Sequence, residues 1–231
     1  DGDVTFNSGT YGRKDGGWYP IIPEDGWIFC SETWTRTGNH TFTVSGDLTA
    51  RYRKGTKVKY NDPDLEYGVV AVSSHSAGTT TITLITNSSY AMAAAVITGR
   101  YISYIENPEG WPDTFNFTIS GLTASGSMTV SITATTYAKW RATAKAIEVM
   151  VQYTVTTGGT ASTQINIDTP VDPVDGSSYP LVCAVVDGGT GITGLGAANG
   201  GTDKLIARHH DNAAWGLGTG RIIQLNGKYP Y

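Results

Sequence analysis

Carboxylates, histidines and glycines stand in this chain at spacings that raise specific chemistries. Asp62, Asp64 and Glu66 follow Asn61 at alternate positions and offer oxygen ligands to Ca²⁺. Pro63 interrupts them, however, and neither a turn glycine nor a distal bidentate glutamate follows, so a solvated hairpin turn is the competing reading. Asp168, Asp172 and Asp175 could pair for acid–base work, but they lie around Pro170 and Pro173 in a loop that nothing evident holds rigid. His209 and His210 are adjacent; on a strand they point to opposite faces and cannot chelate one metal together. The run GGTGITGLGAANGG, Gly188 to Gly201, lacks the Lys-Ser/Thr ending and the helical period of a phosphate cradle, and reads as a flexible loop. No Gly-x-Ser-x-Gly or Walker-type loop is present. The expectation is a protein without catalytic residues, metal or cofactor.

Binding is the chemistry that remains. Recognition of a sugar or protein surface needs a flat aromatic face with polar groups beside it, and Trp215 with His209, His210, Asp211 and Asn212 supplies both within one short stretch. These five residues are the candidate receptor-binding site. The competing reading packs Trp215, followed by Gly216, into a subunit interface or into the loop's own core. Trp18, Tyr19 and Trp111 have proline-rich neighbourhoods that suggest interdomain packing instead.

The elements that must position these residues are strands. Charged residues make up 16% of the 231 residues, against about 25% in an average globular chain, and Thr and β-branched residues recur throughout. Lys145 to Pro170 reads as a β-hairpin: Ile147, Val149, Val151, Tyr153 and Val155 form one apolar row, Gly158-Gly159 a turn, and Thr163, Ile165 and Ile167 a second row. Two such strands call for a covering sheet, hence a β-sandwich over residues 113–231. Between residues 17 and 112 the alternation of Phe42 with Val44, of Val58 with Tyr60, and of the runs at 66–72 and 79–85 indicates five short strands, with Lys57 and Lys59 on a wet face and one helical turn at Tyr90 to Val96. That module resembles small barrels of the OB or SH3 type. Asn107 to Asp113, with two prolines and a glycine, marks the boundary, and residues 1–16 read as a linker or N-terminal arm. Cys30 and Cys183, inside apolar runs, read as buried free thiols.

A net charge of −4 excludes the basic field that nucleic acid needs. No apolar stretch approaches the roughly 18 residues of a helical membrane span, so no membrane insertion is expected. The start at Asp1 suggests a piece excised from a longer polypeptide.

Two passages carry a family resemblance. Residues 17–112 contain an aromatic-Thr pair, TFTV-x-GD (Thr41 to Asp47), GTKVK (Gly55 to Lys59) and a closing Pro-x-Gly-aromatic-Pro (Pro108 to Pro112). In these they resemble a module of tailed-phage and prophage structural proteins. Tyr137 through Trp140, Pro170 and the closing WGLGTGRIIQLNGKY are similar to the jelly-roll tips of phage fibres, with Thr169 in place of the usual Leu. The resemblance implies an all-β virion protein, localised to the virion: a small barrel-like module followed by a jelly-roll β-sandwich. It further implies a homotrimer that contacts other virion proteins and attaches to a host surface glycan or protein. Two alternatives stay open: a capsid decoration or baseplate component, and a secreted carbohydrate-binding module. Glycosylation at the Asn39, Asn87 or Asn116 sequon would favour the latter.

Overall fold

The structure, a computed structural model, describes residues 4–6, 9–14, 17–20, 23–87, 90–93, 96–119, 121–143 and 145–231. The described residues are all-β, without helix. They form two compact units, residues 1–113 and 114–231.

In the first unit β1 (Val4–Phe6), β2 (Gly9–Lys14) and β3 (Gly17–Pro20) make a three-stranded antiparallel sheet. Residues expected to be a linker therefore pair, because ladder bonds use backbone groups that need no side-chain period. The remaining strands are β4 (Ile28–Phe29), β5 (Trp34–Gly38), β6 (Thr41–Ser45), β7 (Lys57–Asn61), β8 (Leu65–Ser76), β9 (Thr79–Ile85) and β10 (Val96–Ser103). Their order β10-β5-β6-β9-β8-β7 closes into a six-stranded barrel because β7 pairs back onto β10. Val96 and Ile97 pair with β5, Thr98 and Tyr101 to Ser103 pair with β7, and Tyr101 and Ile102 pair also with β4. A bulge at Gly99, φ 53°, shifts the register with β7 between Thr98 and Tyr101. That bulge breaks the alternation of Val96 to Ser103, which is why the sequence pattern shows five strands and not six.

Alternation fills the barrel. Phe42 and Val44 point inward from β6, and Phe42 stacks on Trp34 with centroids 4.1 Å apart. Trp34 Nε1 donates to the Tyr52 hydroxyl at 2.8 Å, and that hydroxyl donates to the Glu32 carboxylate, so these two polar atoms are satisfied. Two local expectations are corrected. Residues 90–93 take no helical form and Val96 already begins β10, while 94–95 lie outside the described residues. Lys57 is buried, not wet: its Nζ donates to Ile105 O at 3.2 Å and sits over the Trp111 ring. Trp111 also faces Trp27, whose Nε1 donates to Glu109 O at 2.8 Å, so both indoles pack on the barrel of their own unit.

The second unit comprises β11 (Phe115–Asn116), β12 (Leu122–Ala124), β13 (Met128–Thr143), β14 (Ala146–Gly159), β15 (Gln164–Asp168), β16 (Ser178–Asp187), β17 (Thr190–Asn199), β18 (Lys204–His209) and β19 (Gly218–Pro230). They join in one antiparallel sheet, order β11-β13-β14-β19-β16-β17-β18-β15-β12, curled into a half-barrel. The apolar members of the two expected rows do face inward: Ile147, Val149, Val151, Tyr153 and Val155, with Ile165 and Ile167, are at most 1% exposed, whereas Thr163 is exposed. They do not pair with each other. Both edges of β14 are taken, by β13 and β19, whereas β15 pairs with β18 and β12. Alternation specifies the buried face of a strand and leaves its neighbour open.

The Gly-rich stretch is likewise a strand and not a loop. Gly188 and Gly189, φ 58° and 83°, make a hairpin turn, and β17 then pairs with β16 and β18. On its inner face a Cβ on Gly194 would fall on Cys183 Sγ, and one on Gly196 would lie 2.7 Å from Leu225 Cδ2. Missing side chains let the strand lie close over its neighbours.

Candidate functional site

The five residues singled out from sequence lie at the end of β18 and in the loop that leads to β19, and the structure divides them. Trp215 is 0% and His209 4% exposed. Their rings meet with centroids 4.8 Å apart, tilted by 55°. The loop returns to the sheet because Trp215 N donates to Ser162 O at 2.8 Å. Trp215 therefore presents no face to a ligand; as the competing reading held, it fills the loop's own core. Asp187, at the end of β16, anchors the same corner. Its Oδ1 accepts from Arg221 Nε at 3.0 Å and its Oδ2 from Gly216 N at 2.6 Å. Arg221 also donates to Leu217 O and Thr219 O, at 2.6 and 2.8 Å. His209 Nε2 approaches Asp187 Oδ2 to 3.3 Å without the alignment of a hydrogen bond. The arrangement is a pinned corner of buried side chains.

His210, Asp211 and Asn212 are exposed. Asp211 Oδ1 accepts from Ala213 N at 2.9 Å, and the hydrogen bond holds its carboxyl below the ordinary value. Asn212 takes the left-handed conformation, φ 59°, which an asparagine tolerates. Arg208 lies on the outer face of β18, and His210 follows in the turn after that strand.

That outer face carries an open groove of about 310 Å³. Leu195, Ala197 and Asn199 of β17 line it with Ile206 and Arg208 of β18 and Ser178 of β16. Register explains the grouping: Leu195 lies opposite Arg208, Ala197 opposite Ile206, and Ser178 opposite Asn199, so each pair shares a face. Leu195 and its cross-strand partner Val182 are 52% and 73% exposed. Arg208 Nε donates to Gln164 Oε1 at 2.9 Å, and Nη2 donates to the same oxygen. Gln164 Nε2 in turn donates to Asn166 Oδ1, and this relay fixes which end of the amide faces the guanidinium. The sequence pattern did not single out these residues: glycines mask the period of β17, and the Gln164–Arg208 pairing joins positions 44 apart.

Four of the remaining candidate carboxylates have structural partners. Asp62 is 4% exposed and accepts from Tyr90 Oη at 2.5 Å and Ala93 N at 2.8 Å. Asp168 pairs with Lys204, Asp172 accepts from Thr169 Oγ1, and Asp175 caps Ser177 N. Among the described residues no three His, Cys, Asp or Glu side chains gather as a metal site requires. Burial raises both thiols, Cys183 to about 11, and so holds them in the unreactive protonated form. No protein-family model, curated protein or solved structure matches the chain.

Proposed function

We propose that the chain is a virion structural protein of a tailed phage, the distal part of a tail or head fibre, which attaches without catalysis to a host surface glycan or protein. The observation that supports this reading is the open groove on β16–β18. It combines an apolar floor, an oriented cation and two polar side chains, the composition of a recognition site, on strands paired along both edges. On this reading the curled half-barrel is a variant of the jelly-roll tip, and the fibre is a homotrimer joined to other virion proteins. The phage assignment rests on the motif resemblance.

The test is adsorption of the labelled chain to a panel of bacteria, before and after removal of surface polysaccharide, with sedimentation to give its size. Saturable adsorption by a trimer is the expected result. A monomer that adsorbs to no strain would overturn the reading.

The exposed cross-strand pair Val182 and Leu195 favours a second reading, a capsid decoration or baseplate component whose outer face docks on another virion protein. Density for the chain on the capsid lattice, without host adsorption, would decide for it.

A further inference from the structure

Two cations stand on the outer face of the β15–β18 pair, and they are treated differently. Lys204 lies opposite Asp168 and forms an ion pair with it. Arg208 lies opposite Gln164, a neutral amide, and has no carboxylate partner among the described residues. The Gln164 contacts use Nε and Nη2 and leave Nη1 free to donate. An uncompensated guanidinium, held in place by a Gln164–Asn166 relay at the edge of a groove, is a prepared site for an acid group.

The rest of the groove narrows the ligand class. Leu195, Ala197 and Ile206 give an aliphatic floor, and Asn199 and Ser178 place an amide and a hydroxyl at the far end. Four residues of strand separate Leu195 from Asn199, about 13 Å at roughly 3.3 Å per residue. β17 is hydrogen-bonded on both sides, by β16 and β18, so no strand edge is open for a peptide to add to. A ligand here must be read by side chains alone: an acid at one end, C–H surface in the middle, hydroxyls at the other.

We infer that this groove binds an anionic saccharide, with the acid group on Arg208, a sugar face on Leu195 and Ile206, and hydroxyls on Asn199 and Ser178. The inference rests on the attachment reading and specifies its ligand. The direct probe is an oligogalacturonate titrated into the full chain, beside its neutral methyl ester and a sugar phosphate.

The acidic oligosaccharide binds and the ester does not; Arg208→Gln weakens binding about ten- to a hundredfold, the range for loss of a charge-assisted hydrogen bond. Leu195→Glu, at an exposed position, abolishes binding while the thermal midpoint and sedimentation stay unchanged. Tighter binding of the sugar phosphate, with the same dependence on Arg208, would assign the acid group to phosphate and support the site. Equal binding of acid and ester, or of the two variants and the parent, would overturn the inference and leave attachment standing. Equal binding of a polyglutamate peptide would overturn the saccharide class. Failure to bind any of these, or any neutral glycan on an array, would sink both.

Discussion

The Trp215 indole packs against the His209 imidazole with ring centroids 4.8 Å apart, and both side chains are buried. A residue type that suggests surface recognition here holds a loop onto its sheet. Trp215→Ala should destabilise the chain by about 3–5 kcal/mol, as for other large aromatic truncations in cores. Denaturant unfolding measures this; an unchanged midpoint would mean that the indole is dispensable to the fold.

Asp187 is the second anchor of that corner, with side-chain exposures of 8% for it and 9% for Arg221. Removing the carboxylate leaves Arg221 buried without its counter-ion and Gly216 N without its acceptor. Asp187→Ala should therefore cost about 3–5 kcal/mol. The double variant with Arg221→Met should recover part of that loss, since a buried pair can be replaced by apolar atoms. Additive losses would argue against a coupled pair.

Gly194 faces Cys183 across β17 and β16. Gly194→Ala should cost about 1–3 kcal/mol through overpacking. The same substitution in a Cys183→Ala background should cost less, because the sulfur it meets is gone. Thermal melts of the four proteins give the coupling; equal losses in both backgrounds would show that the strand is not held to this spacing.

Arg141, Glu148 and Lys228 form a cross-strand row on the outer face of β13, β14 and β19. Glu148 Oε2 accepts from Arg141 Nε at 2.8 Å and lies 3.4 Å from Lys228 Nζ. The Arg141 hydrogen bond, ahead of the charges of Arg141 and Lys228, lowers its pKa from 4.5. A depressed carboxylate contributes stability above its unfolded pKa, and that contribution is lost as pH falls through the folded value. The parent should therefore lose more stability than Glu148→Gln between about pH 5 and about pH 3. Parallel losses in the two proteins would show that the row contributes nothing.

Side-chain periodicity made much of the fold legible. The inward rows of β6, β9, β14 and β15 follow from alternation alone, as does the all-β class. What alternation could not supply is partnership. β14 and β15, consecutive and separated by a glycine turn, look like a hairpin, yet each finds other neighbours in the curled sheet. The bulge at Gly99 concealed the strand that closes the barrel, and glycines chosen for close packing made β17 read as a loop. The candidate site was half legible for the same reason. His210, Asp211 and Asn212 are at the surface, but burial of Trp215 depends on Ser162, fifty-three positions earlier, and Arg208 acquires its meaning only opposite Gln164.

The central claim is that recognition belongs to the outer face of β17 and β18 and not to the Trp215 loop core. Methyl-resolved NMR of the full chain, titrated with an oligogalacturonate, tests it most directly. The account predicts that the Leu195 and Ile206 methyl signals move, while those of Ile223 and Leu225, buried on the inner face, stay still. Shifts confined to other parts of the chain, or none at saturating ligand, would contradict it.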